Sequence, residues 1–175
     1  MRCLSLVAAI MAATAGPALS DGIVLTVSGS VEETNRPAFQ PFADSFFNFH
    51  GHTFENAFAF DRDTLGALPQ ETIVARAEGW PAEVRLEGPL LADVLSAAGA
   101  GQGAITVYAL DGYGARMTPD EMAARDWVLA ISADGSPLGI GGRGPAWLAY
   151  DTGDGSATEA EEAAWVWSVF HIAVE

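Results

Sequence analysis

The sequence predicts a strand-dominated α+β domain, with mixed sheets and two or three short helices. Three observations carry that prediction. Apolar and alternating runs of four to nine residues recur between glycine, proline and aspartate turn signals, the rhythm of short strands. The few segments with helical apolar spacing are short and have start and stop residues of their own. No internal repeat or linker breaks the chain from residue 21 to 175, so one domain accounts for it.

The elements follow in order. Residues 23–31 (IVLTVSGSV) read as a first strand, with Ile23, Leu25 and Val27 on one face. Residues 32–57 hold two prolines and six phenylalanines without a clean period, which predicts an irregular excursion with a short strand at 46–49. An extended stretch at 57–60 precedes a short helix opened near Asp61 and ended by Pro69. Strands at 72–77 and 83–87 are joined by a Gly79, Trp80, Pro81 turn. Then Leu90, Leu91, Val94, Leu95 and Ala98 recur at helical spacing until Gly99 stops the run, with Pro89 placed for the first turn. A buried strand at 104–110 turns at Asp111 and Gly112 into 113–117, and Thr118-Pro119-Asp120-Glu121 forms a capping box. Asp134 and Gly135 signal a hairpin between 128–132 and 137–140. A strand at 147–150, a small acidic helix near 158–164 capped by Ser156 with Glu159, and a last strand at 165–174 complete the chain.

Residues 1–20 read as a secretory leader instead of part of the fold. Arg2 supplies the positive end, residues 4–15 form an apolar run too short for a span, and Ala18-Leu19-Ser20 offers a cut before Asp21. The expected protein is therefore periplasmic or secreted, with no membrane span once the leader is removed. Cys3 is the single cysteine, so thiolate chemistry is absent from residues 21–175. Those residues carry seven arginines and no lysine against 23 acids, a net charge of −16. Such a surface repels polyanions and excludes nucleic acid as a partner.

Three pieces carry a resemblance. They are RLEGPLLADVLSAAGA at 85–100, VYALDGYGARMTPDE at 107–121, and GRGPAWLAYD at 142–151 with a terminal WSVFHIAV. In that order and spacing they resemble small secreted bacterial proteins with the oxidoreductase molybdopterin-binding domain, the core fold of sulfite oxidase. The resemblance implies an oxidoreductase ancestry, and a cleft for cofactor and substrate at the sheet end where Asp111, Tyr113, Arg143, Trp147 and Tyr150 fall. It also implies a cysteine ligand for molybdenum and basic residues for the pterin phosphate. Residues 21–175 lack that cysteine and have scattered arginines, so molybdopterin is implied by the resemblance alone and no cofactor is the expectation. The expected function is binding of a small molecule, or an accessory role toward a periplasmic partner protein. A molybdopterin-dependent oxidoreductase or pterin-binding protein is the alternative.

Other candidates weigh less. His50 and His52 point the same way on an extended chain, and with Glu55 they would supply two nitrogens and one oxygen to a metal, against a solvated loop pair. Residues 151–156 are acidic and glycine-rich, but Gly153 and Gly155 stand where a calcium loop needs ligands. No serine sits in a nucleophile elbow.

Overall fold

The computed structural model describes residues 22–175, so residues 1–20, expected to form a leader, lie outside the described residues with Cys3. Five strands and three helices lead to the middle of the chain: β1 (Leu25–Gly29), α1 (Ser45–Phe49), β2 (Ala57–Phe60), α2 (Arg62–Ala67), β3 (Gln70–Ala75), β4 (Val84–Pro89), α3 (Leu91–Ala97) and β5 (Ile105–Ala109) come in that order. The second half contains β6 (Gly114–Met117), α4 (Pro119–Ala123), β7 (Trp127–Ala130), β8 (Ser132–Ala133), β9 (Ser136–Pro137), β10 (Ala146–Tyr150), α5 (Glu159–Glu162) and β11 (Val166–Val174). The class is the strand-dominated α+β that the sequence predicts.

One sheet has seven strands, with the path β2-β1-β11-β10-β7 and with β5 on β11 and β6 on β5. The last strand organises it. Its first half pairs antiparallel with β10, and residues 171–174 pair parallel with β1 and antiparallel with β5. Ser168, at φ 58°, sits where the register shifts. The second sheet is β3-β4-β8-β9. Asp134 (φ 48°) and Gly135 (φ 74°) close the two-residue hairpin between β8 and β9, as that dipeptide demands.

Alternation along the large sheet makes two cores. Leu25, Val27, Ile105, Val107, Ile172 and Val174 face the main core with Leu86, Leu91 and Leu129. The opposite face carries Thr26, Ser28, Tyr108 and His171, and the 32–56 excursion packs over it through a small core of Phe47, Phe54, Ala57 and Phe170.

Local differences from the sequence reading have physical causes. Residues 46–49 are helical, because Asp44 bonds back to Gln40 and the turn that follows lets Phe47 reach Phe54 and Phe170. Packing of that one ring outweighs the strand preference of a phenylalanine run. Pro89 ends β4 instead of opening α3, whose cap is Leu90. The box closing α5 is Thr158 with Glu161, two residues later than Ser156 with Glu159, and it matches the Thr118 and Glu121 box of α4. The first strand starts at Leu25, leaving Ile23 45% exposed.

Candidate functional site

Arg143 sits in the tight 139–144 turn. Gly144 approaches the backbone of Leu138 so closely that an added Cβ would lie 2.5 Å from the Leu138 carbonyl carbon. The Arg143 carbonyl accepts from Ser168 N at 2.8 Å, which ties the turn to β11. This fixes the base of the side chain while its head stays exposed. The guanidinium lies over two indoles, 4.7 Å from the ring of Trp80 and 4.5 Å from that of Trp147, a cation–π arrangement. Among the described residues it has no carboxylate partner.

Below it the rings continue. Trp80 touches Trp147 at 5.6 Å and Trp165 at 5.7 Å between centroids; Trp165 meets Tyr150 at 5.3 Å, and Tyr150 meets Trp127 at 5.2 Å. Trp80 is aimed by a hydrogen bond from Nε1 to Glu162 Oε1, 2.8 Å. The buried Nε1 groups of Trp147 and Trp165 have no hydrogen-bond partner among the described residues. Burial pushes the Tyr150 phenol up from its ordinary value, while the guanidinium of Arg125, 4.1 Å from its ring centroid, pulls the other way.

The five residues expected at the cleft thus divide. Arg143 and Trp147 are in contact, and Tyr150 joins them through Trp165. Tyr113 is half-exposed and anchored, its hydroxyl donating to the Ala163 carbonyl at 2.7 Å. Asp111 accepts from Tyr113 N at 2.9 Å and shapes that turn. Sequence reasoning missed Trp80 and Trp165. Their signal was the tryptophan inside the Gly79-Pro81 turn and another directly ahead of the last strand.

The three histidines of the chain meet elsewhere, under the 32–56 excursion. His50 and His52 rings stack at 6.1 Å, and His52 lies 5.0 Å from His171 and 4.1 Å from Tyr108. His171 shares a 2.8 Å hydrogen bond between Nε2 and Ser28 Oγ. Burial lowers its pKa to about 3, helped by His52 and Arg36; His52 is lowered by burial and then by His50. His171 was missed because the terminal strand gave no sign of which face it shares. Glu55 is exposed. Among the described residues no group of three or more His, Cys, Asp or Glu side chains is placed to hold a metal ion, His50, His52 and Glu55 included.

Two sheets, the larger organised around the terminal strand, and few short helices agree with the sulfite oxidase-like fold that the sequence resembles. A solved structure agrees: the chain is similar to the sulfane dehydrogenase SoxCD from Paracoccus pantotrophus, with a TM-score of 0.57 at 17% identity, over 87% of this chain. The chain spans 38% of the length of that neighbour. No protein-family model and no curated protein matches the chain.

The residues present do not fit the group this fold implies. Molybdopterin needs a thiolate at the metal and cations at its phosphate. The single cysteine is Cys3, outside the described residues. Near the indole cluster the arginines are committed: Arg125 pairs with Glu161, and Arg62 donates to the Ile131 and Leu138 carbonyls. Arg36 is held by Asp44 and Arg116 by Glu175. Among the described residues Arg76, Arg85 and Arg143 have no ion pair, and of these three it is Arg143 that lies over the indoles.

Proposed function

We propose that this protein is an exported small-ligand-binding or accessory protein on the sulfite oxidase fold, acting without molybdenum chemistry through the Arg143 surface. The observation that carries the reading is an exposed guanidinium held over two indoles with no carboxylate partner among the described residues. A cation kept in place by ring contacts offers its outward N–H fork to a small anion, and the ordering cost is already met before binding. The ligand class this favours is a compact oxyanion or carboxylate, since the acidic chain, with Glu162 bonded to the Trp80 beneath Arg143, disfavours polyanions. No helix among the described residues is long and apolar enough to cross a membrane. Periplasmic or secreted residence rests on the leader reading of residues 1–20.

The test is a titration of purified protein with a panel of small oxyanions and carboxylates, followed by thermal melts of Arg143→Ala and Arg143→Lys. Arg143→Ala should abolish binding of any hit with little change in melting temperature, and Arg143→Lys should weaken it, because lysine cannot present a planar fork. A hit that binds Arg143→Ala unchanged contradicts the assignment.

A second reading, a molybdopterin-dependent oxidoreductase, is favoured by the structural neighbour, a sulfane dehydrogenase. Against it stand the missing thiolate and the committed arginines.

A further inference from the structure

Far along the ring row from Arg143, Trp127 lines a second feature, a cavity of about 820 Å³ between α3, α4 and the 99–103 loop. We propose that this cavity binds an amphipathic organic cation, an apolar body carrying one or two basic nitrogens.

The size suits a small molecule, whose sites run from about 300 to 1,000 Å³. Its walls are set before any ligand arrives. The loop is clamped to the extension of β1 by Glu32 N to Gly99 O at 3.0 Å and Gly101 N to Ser30 O at 2.9 Å. Three glycines make that clamp: an added Cβ would fall 2.2 Å from the Val174 carbonyl oxygen at Gly29, 2.9 Å from Ser30 Oγ at Gly101, and 2.2 Å from the Glu175 carbonyl oxygen at Gly103. Backbone pinned at three points costs little further ordering when a ligand binds.

The lining selects the ligand. Leu90 and Leu95 on the α3 side and Met122 on α4 are half-buried apolar side chains open to the cavity, so covering them is favourable. Glu32 and Asp126 are exposed carboxylates of the lining with no ion pair or side-chain hydrogen bond among the described residues. The one cation of the lining, Arg125, is neutralised by Glu161 at 2.9 Å and lies over Tyr150. The cavity therefore presents apolar surface with two uncompensated negative charges, in a chain of net charge −15. An anionic amphiphile meets repulsion there, and a plain hydrocarbon leaves both carboxylates unused.

The test titrates the exported protein with octylamine, as its ammonium form at pH 7.5, and with octanoate and octanol as matched probes. Octylammonium should bind saturably and at least about tenfold tighter than octanoate, since the two carboxylates attract the one head group and repel the other. The double variant Glu32→Gln, Asp126→Asn should lose about that tenfold, and a control double variant at the distant Glu71→Gln, Asp154→Asn should not. All four positions are exposed, so folding is not at issue. Octanoate binding as tightly, the control variant losing as much, or no saturable octylammonium binding by about 10 mM overturns the proposal.

Discussion

At the scale of single residues, the two cationic and imidazole settings behave oppositely. Arg143 is exposed and ring-supported, so its removal should leave stability within about 0.5 kcal/mol, the usual range for surface changes, and act on binding alone. A melt that drops by many degrees for Arg143→Ala would make it a structural residue. His171 is 2% exposed and its pKa is depressed to about 3. In the unfolded chain its pKa is near 6.5, so the unfolded state takes up the proton first as the pH falls. The stability present above pH 6.5 is then lost toward pH 3, at about 1.4 kcal/mol per unit from this one group. Urea unfolding at pH 7.5, 6.0 and 5.0 should show that decline, before the carboxylates titrate. The exposed Glu121, Glu161 and Glu175, whose pKa values are lowered by hydrogen bonds from Thr118, Thr158 and Arg116 respectively, lose their contributions only below about pH 4.5. Stability flat between pH 7.5 and 5.0 would mean that His171 is reached by water.

Among the elements, the stretch from β4 to α3 was the most legible part of the chain. Alternation gave the strand, the leucine spacing gave the helix, and Gly99, at φ 59°, stops it as expected. What spacing could not convey is how deep each leucine sits. Leu91 is 2% exposed, whereas Leu95 is half-buried at the cavity edge. Leu91→Ala should cost about 2–5 kcal/mol by denaturant unfolding, and Leu95→Ala visibly less. Equal losses would place Leu95 in the core. Gly88 is a further case that sequence treats only as a turn signal. A Cβ there would lie 2.2 Å from the Leu129 carbonyl oxygen and 2.6 Å from Ala130 Cα, because β4 and β7 cross at that point. Gly88→Ala should cost about 1–3 kcal/mol, the range for overpacking. A neutral Gly88→Ala would show that the two strands can part freely. By contrast, α1 was read as a strand, since the packing partner that bends Phe47 inward lies more than a hundred residues away, at Phe170.

For the whole molecule, the strand inventory and the fold were readable because the apolar runs are short, separated by turn residues, and ordered as in a known fold. The site was readable only in pieces. Arg143 and Trp147 are close in sequence and fell together, but Trp80 and Trp165 reach them across two sheets, which no local pattern encodes. The histidine cluster has the same cause: β11 brings His171 under His52 through pairing with β1 and β5. The fold is thus shared with a dehydrogenase, while residues 22–175 hold no cysteine to serve as a thiolate ligand. The most direct measurement is the molybdenum and pterin content of the exported protein, purified from a host able to make the cofactor. The account predicts neither molybdenum by elemental analysis nor pterin fluorescence after oxidation, with an intact mass equal to the polypeptide beginning near Asp21. Stoichiometric molybdenum or pterin would contradict it and make the chain an oxidoreductase of this fold.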